Sequence, residues 1–170
     1  MPHSSDRDAF HTGTVTARIR ALAEATQAKI LVADDDELEL ALLCDRLESC
    51  GLEVHCVPNG EQALELLSKE WFPVVLTDWQ MPVMSGVEMT ERLRERGATD
   101  TYVIMLTVLD SGFDYERAYA AGVDDYLSKK MPEVELLARV HAGFSTVSLR
   151  RQLQEARAEL AKLSPGGGSL

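Results

Sequence analysis

The stretch VVLTDWQMP, residues 74–82, joins a strand-like apolar run to an acid. Its first four residues have the high strand propensity of a buried strand, and the run ends on Asp78. Proline does not continue a central strand, so Pro82 places the end of the strand close to Asp78. A carboxylate at the tip of a buried strand is the first candidate functional group of this chain.

Apolar runs of strand length also occur on both sides of this stretch, at residues 30–33, 54–57, 103–107 and 123–127. Segments with helical spacing separate them, and capping-box pairs predict where three helices begin: Asp36 with Glu39, Asn59 with Gln62, and Ser85 with Glu88. Five strands that alternate with five helices predict a doubly wound α/β domain with a parallel sheet covered on both faces.

Polar groups follow four of the five predicted strands, and parallel strands present their C-terminal ends at one edge of the sheet. The groups are Asp34, Asp35 and Asp36 after the first strand, Asp78 after the third, Thr107 after the fourth and Lys129 after the fifth. Closely spaced carboxylates repel one another, and Mg²⁺ relieves such repulsion through oxygen ligands. A lysine and a hydroxyl opposite would bind phosphoryl oxygens, which predicts phosphoryl transfer with Asp78 as nucleophile.

Four motifs in register carry a resemblance to a known family: KILVADDDELE, VVLTDWQMPVMSG, VIMLT and GVDDYLSKK. Together they resemble the response-regulator receiver domains of bacterial two-component systems, over roughly residues 29–145. The resemblance implies a flavodoxin-like fold with strand order 2-1-3-4-5. It also implies a phosphoacceptor that takes its phosphoryl group from a sensor histidine kinase or a phosphotransfer protein.

The resemblance assigns roles to single residues of this chain. Asp78 matches the phosphoacceptor, Asp35 a direct Mg²⁺ ligand and Asp34 an acid that acts through metal-bound water; Mn²⁺ could replace Mg²⁺. Gln80 matches the position that lends its backbone carbonyl to the metal, and Thr107 and Lys129 match the groups that bind phosphoryl oxygens. Tyr126 matches the aromatic switch residue that moves with Thr107, and the face of helix 4, strand 5 and helix 5 is the expected readout surface.

Three positions depart from the family pattern. Lys130 stands where a proline usually follows the site lysine through a cis bond, which leaves the shape of this loop open. Val108 stands where a small residue is usual, and its branched side chain could slow phosphotransfer. Ser85 replaces a common acid but caps its helix equally well.

The composition bounds the function classes. The 170-residue chain carries a net charge of −11, and residues 29–145 hold 23 acidic and 10 basic residues, which disfavours direct nucleic-acid binding. No signal peptide or membrane-length apolar run occurs, so we expect a cytoplasmic protein. Cys44, Cys50 and Cys56 have no metal-type spacing and are expected to be buried small hydrophobes.

The expected organisation has four parts: an N-terminal extension at 1–28, helical over 15–27; the receiver domain at 29–145; a helical extension at 146–164; and a flexible tail at 165–170. Five residues of the helical extension have the 4-3-4-3 spacing of a coiled-coil seam: Leu149, Leu153, Ala156, Leu160 and Leu163. We therefore expect a homodimer, through this helix or through the readout surface. A solvated linker helix that leads to an effector such as a diguanylate cyclase is an alternative.

Two other functions compete with the phosphoacceptor. A hydrolase of the haloacid dehalogenase type also uses an aspartate after a strand, but it needs a second acid two positions on, where this chain has Gln80. A receiver-like docking or dimerisation module that works without phosphorylation would not need the acids, the threonine and the lysine together. We expect a phosphoacceptor and not a turnover enzyme.

Overall fold

The computed structural model describes residues 14–22, 29–108 and 115–163. Strands and helices alternate in the order β1 Lys29–Ala33, α1 Glu37–Ser49, β2 Glu53–Val57, α2 Gly60–Lys69, β3 Val74–Asp78, α3 Gly86–Glu95, β4 Tyr102–Thr107, α4 Tyr115–Ala121, β5 Asp125–Ser128 and α5 Glu133–Leu163. Residues 14–22 form a further helix, here called the N-terminal helix. The flexible tail predicted at 165–170 and the helix end predicted at 23–27 lie outside the described residues.

The five strands form one sheet in the order β2-β1-β3-β4-β5, and every neighbouring pair is parallel. This confirms the predicted flavodoxin-like topology. Because all strands run the same way, their C-terminal ends meet at one edge, and β1 and β3 lie side by side at its centre.

Both faces of the sheet are covered, as predicted. On one face, β1 and β3 pack against α1 and α5, where Leu47 and Leu136 are fully buried. On the other face, α2 and α3 cover the sheet around Leu64 and Met89. These two apolar layers pack against both faces of the sheet and so fix the positions of the C-terminal strand ends.

The predicted capping boxes form to different extents. Ser85 and Glu88 make both halves of the box at the start of α3. Asn59 accepts a hydrogen bond from the Gln62 N–H, and Asp36 accepts from the Leu38 and Glu39 N–H groups. The carboxylate of Glu39, predicted to complete the box of α1, instead contacts a lysine across the sheet edge, as described below.

The last helix, α5, has 31 residues and confirms the predicted extended C-terminal helix. Its last buried residue is Val147, and every residue from 151 to 163 is exposed. The helix is continuous across the predicted boundary at 145/146, and the four domain bounds stay predictions, as does the coiled coil. Among the described residues, no helix is both long and apolar enough to cross a membrane.

The N-terminal helix packs on the domain. Ile19 is fully buried in the layer formed by α1 and α5, and Val15 and Leu22 pack against the same layer. The guanidinium of Arg20 also donates to the Ser49 carbonyl at 3.4 Å, at the end of α1.

The cysteines differ from the prediction. Cys44 in α1 and Cys56 in β2 form a disulfide, with their Cα atoms 6.8 Å apart, and only Cys50 is a free, buried thiol. The sequence reasoning tested a bond within α1 and missed this pair. Val54 and Cys56 share one face of β2, and Val54 packs into the α1 layer, so the strand presents Cys56 to α1.

Candidate functional site

Three carboxylates meet at the C-terminal edge of the sheet. Asp34 and Asp35 follow β1 and Asp78 ends β3, and one carboxylate oxygen of each lies within 4.8 Å of the other two. Strand pairing explains this contact, because Ala33 and Thr77 are partners in the parallel register of β1 and β3. We call these three residues the acidic cluster.

Local structure holds the acidic cluster in place. Asp34 is 1% exposed, and one of its carboxylate oxygens accepts the Asp36 N–H at 3.0 Å. Behind Asp78, the start of α3 lies so close that a Cβ atom on Gly86 would stand 2.1 Å from the Asp78 carbonyl oxygen. Only glycine allows this approach, so Gly86 sets the path of the loop after β3.

Lys129 is the cation of the site. Its ammonium lies 2.8 Å from a carboxylate oxygen of Asp34, 2.8 Å from Glu39 and 3.0 Å from Asp78. Burial works against the charge on Lys129, but the hydrogen bonds that its ammonium donates to Asp34, Glu39 and Asp78 outweigh burial and raise the pKa of the lysine. Lys129 is therefore held protonated at neutral pH.

The phosphoacceptor candidate is electrostatically strained. Burial raises the pKa of the Asp78 carboxyl, the charge of Asp34 adds to the rise, and the Lys129 hydrogen bond opposes it. The acidic cluster thus has three carboxylates, and the single ammonium of Lys129 is shared between two of them and Glu39. A divalent cation at this place would relieve the imbalance, and three closely spaced oxygen donors are the ligand type of Mg²⁺.

The other predicted residues lie at or near the same edge. Thr107 is buried at the end of β4, and its carbonyl accepts the Lys129 N–H at 3.0 Å. Gln80 is exposed in the loop after β3. Tyr126 lies opposite Met105 in the β4–β5 pairing and is partly buried against α3 and α4. The Lys129–Lys130 bond, left open by the sequence, is trans.

Sequence reasoning missed two residues of the site. Glu39 was assigned to helix capping, yet it is a direct partner of Lys129, and Gly86 was not considered. The position of Glu39, one turn after the aspartates that follow β1, was the available signal, because the first turn of α1 must lie at the same edge.

The sequence and the fold of this chain match those of known proteins. Residues 30–141 match the model of the response regulator receiver domain. The chain is 37% identical over 115 residues to the phosphate regulon transcriptional regulatory protein PhoB of Rhizobium meliloti, covering 67% of this chain and 51% of that protein. It thus spans about half the length of this relative.

Solved structures agree. The receiver domain of Francisella response regulator 1452 superposes with a TM-score of 0.64 at 32% identity, covering 70% of this chain and 98% of the other. A second similar structure is the receiver domain of the sensor histidine kinase PA1611 from Pseudomonas aeruginosa PAO1, which has a magnesium ion coordinated in its active site cleft. Its TM-score is 0.65 at 26% identity, and the match covers 69% of this chain and 98% of the other. The chain therefore belongs to the response regulator receiver domain family.

Proposed function

We propose that this chain accepts a phosphoryl group on Asp78 from a phosphohistidine of a sensor kinase or phosphotransfer protein. The observation that carries the proposal is the acidic cluster with Lys129 in contact. A carboxylate oxygen of Asp78 forms the bond to phosphorus while the histidine N–P bond breaks, and the histidine nitrogen keeps the electron pair. The products are an aspartyl phosphate and a histidine that leaves as neutral imidazole, because its other ring nitrogen carries a proton during the transfer.

Each residue of the site has a part in this transfer. A Mg²⁺ ion, or Mn²⁺ in its place, would be held by Asp35, Asp78 and the Gln80 carbonyl, with Asp34 acting through water, and it would offset the charge of the phosphoryl oxygens. Lys129, charged and already in contact with Asp78, would move to one phosphoryl oxygen, and the Thr107 hydroxyl would donate to another. Such positioning and charge neutralisation are most of what phosphoryl transfer requires.

The donor would approach over α1. Leu38 and Leu42 are 69% and 51% exposed on this helix, close to the acidic cluster. An open cavity of about 200 Å³ extends from Leu42 and Met131 to Asp34 and Lys129. An apolar helical surface on the donor would cover the leucines and bring a histidine to the rim of this cavity.

The proposed response is a change of conformation and not turnover of a substrate. A phosphoryl group adds negative charge at the tip of β3, and its bonds to Thr107 and Lys129 favour one of two conformations. Tyr126, next to Met105 of β4, would follow Thr107 and alter the surface of α4, β5 and α5. Gln80 stands where a hydrolase of the haloacid dehalogenase type would have its second acid, which favours a phosphoacceptor over a hydrolase. We also propose that the protein is cytoplasmic.

The exposed end of α5 would join two copies. Its seam leaves Leu149, Leu153, Leu160 and Leu163 between 51% and 76% exposed. The spacing of these residues fits the seam of a coiled coil, so we expect a homodimer through this segment. Changing Leu153 and Leu160 to lysine should give a monomer by sedimentation, whereas changing exposed Arg151 to lysine should leave the dimer.

Intact-mass spectrometry tests the central proposal. With Mg²⁺ and acetyl phosphate, the wild-type chain should gain the mass of one phosphoryl group, and the gain should be lost with EDTA or in Asp78→Asn. Asp45→Asn, on the exposed middle of α1, is the matched control and should react normally. An unmodified wild-type chain would instead favour a docking module that works without phosphorylation.

Fluorescence follows the conformational change. The chain has two tryptophans, and Trp79 directly follows Asp78. In a Trp71→Phe background, Mg²⁺ with a beryllofluoride phosphoryl mimic should change the Trp79 emission, and Thr107→Val should reduce that change. An unaltered spectrum with the mimic demonstrably bound would contradict the switch.

A further inference from the structure

We propose that the Cys44–Cys56 pair is a reversible thiol–disulfide site that exchanges with low-molecular-weight thiols and disulfides. The bond joins the middle of α1 to edge strand β2, 12 residues apart in sequence. It lies outside the phosphoacceptor site, and the proposal does not depend on phosphorylation of Asp78. Two features of the pair support it: the different exposure of its two sulfurs and the packing on both sides of it.

The two sulfurs differ in access. Cys56 is exposed on β2, whereas Cys44 is 7% exposed in the layer beneath α1. Thiol–disulfide exchange needs an attacking thiolate to reach a sulfur, so attack occurs at Cys56. The free thiol, Cys50, is 2% exposed and is shielded from the same reagents.

The surroundings hold both cysteines near each other without the bond. Cys44 lies between the buried Leu43 and Leu47, and β2 is hydrogen-bonded to β1 along its length. Reduction would therefore leave α1 and β2 in place and the two thiols within reach. A pair kept close in this way can close again, which distinguishes it from a disulfide that a small domain needs for folding.

The exchange balances in two steps. A thiol RSH attacks the Cys56 sulfur and forms a mixed disulfide there, and the Cys44 sulfur leaves with the bonding electrons and takes up the proton. A second RSH then attacks the mixed disulfide, which releases RSSR and leaves Cys56 as a thiol. In the reverse direction, an oxidised low-molecular-weight disulfide such as glutathione disulfide accepts two electrons and two protons from the pair.

Reduction removes the covalent crosslink between α1 and β2, the outermost strand of the sheet. Helix α1 also carries Glu39, the partner of Lys129, so the crosslink is on the same helix as a residue of the candidate site. A disulfide that closes a loop of this length stabilises mainly by restricting the unfolded chain. We expect the Tm to fall by on the order of 10 °C when the pair is reduced.

The experiment equilibrates the full chain in glutathione buffers of increasing oxidation, quenches with maleimide and maps the labelled peptides. Maleimide should label Cys56 first in reduced native protein, and oxidation should protect Cys44 and Cys56 together while the Tm rises. Cys56→Ser should abolish the redox dependence of the Tm, and Cys50→Ser should leave it intact. Three free thiols in every buffer, or a Tm that ignores the buffer, would overturn the proposal.

Discussion

The two edges of the sheet each carry acids and bases, but in opposite proportion. At the C-terminal edge, three carboxylates of the acidic cluster face the single ammonium of Lys129. At the N-terminal edge, the carboxylate of Asp124 lies between the guanidinium groups of Arg94, at 2.7 Å, and Arg150, at 3.0 Å. We call the second group the arginine cluster.

The arginine cluster has the bonding of a structural element. Arg94 donates to the carbonyls of Ala98, Thr101 and Gly122 as well as to Asp124. Arg94 donates to one carboxylate oxygen of Asp124, and Arg150 donates to the other. The guanidinium of Arg150 also lies 6.0 Å from the centre of the Tyr102 ring. Here every charged group is bonded to an opposite charge, and Arg94 also to backbone carbonyls, whereas the acidic cluster keeps an excess of carboxylates over its one ammonium. An uncompensated cluster is where a cation and a phosphoryl group can act.

Loss of Arg94 should have the largest effect on stability. Arg94→Ala removes one of the two guanidinium partners of Asp124 and the side-chain donor to three backbone carbonyls, in a half-buried place. We therefore expect the free energy of unfolding to fall by about 3 kcal/mol. Urea denaturation measures it. Arg139→Ala is the matched control, because Arg139 is 47% exposed and pairs with Asp125 at the surface, and its loss should cost about 0.5 kcal/mol. Equal losses would remove the contrast between a structural and a surface arginine.

Loss of a ligand should weaken metal binding at the acidic cluster. Asp35→Asn removes one charged oxygen donor, so the Mg²⁺ concentration at half saturation should rise about tenfold or more. A Mg²⁺ titration followed by Trp79 emission in the Trp71→Phe background measures it. Asp45→Asn should leave the midpoint unchanged, and an unchanged midpoint in Asp35→Asn would place the metal elsewhere.

Neutralising Asp78 should stabilise the metal-free domain, which is the opposite of what a charge loss does at the arginine cluster. Asp78→Asn relieves repulsion with Asp34 and Asp35 and leaves Lys129 two carboxylates, so the free energy of unfolding should rise by about 1 kcal/mol in EDTA. Added Mg²⁺ should reduce or reverse this difference, because it stabilises the wild type more. Urea denaturation with EDTA and with Mg²⁺ tests both statements; a less stable Asp78→Asn in EDTA would contradict the charge argument.

The smallest effect concerns backbone strain at the acidic edge. Val83, in the loop after Asp78, has a φ of 69° and is 76% exposed. This left-handed conformation is unfavourable for a β-branched residue but acceptable for asparagine. Val83→Asn should therefore raise the free energy of unfolding by about 0.5 kcal/mol. Val108 is an exposed valine at the same edge, and its φ is not positive, so Val108→Asn should not raise the free energy of unfolding. Equal effects of the two substitutions would indicate that side-chain polarity, and not backbone strain, is the cause.

Much of the fold was predictable because it depends on periodicity. Strand-length apolar runs, helical spacing and the end signals at Asp36, Asn59 and Ser85 are local properties, and they led to the element order. The strand order came from the family resemblance and is confirmed. The juxtaposition of Asp34, Asp35 and Asp78 was also predictable, because parallel strands end at one edge.

Side-chain contacts between distant elements were not predictable in the same way. Glu39 and Lys129 meet because the first turn of α1 and the loop after β5 converge across the edge, at an angle that local spacing does not encode. The bond between Cys44 and Cys56 depends on how α1 lies over β2, and the burial of Ile19 depends on its packing into the apolar layer of α1 and α5.

The sequence alone determined the order of strands and helices along the chain and the kinds of chemical group at the strand ends, since both follow from local patterns and the backbone rules of parallel sheets. Tertiary structure alone decided which charges are compensated. The balance at each edge depends on the reach and packing of side chains from elements far apart in the chain, as Asp124 between Arg94 and Arg150 illustrates.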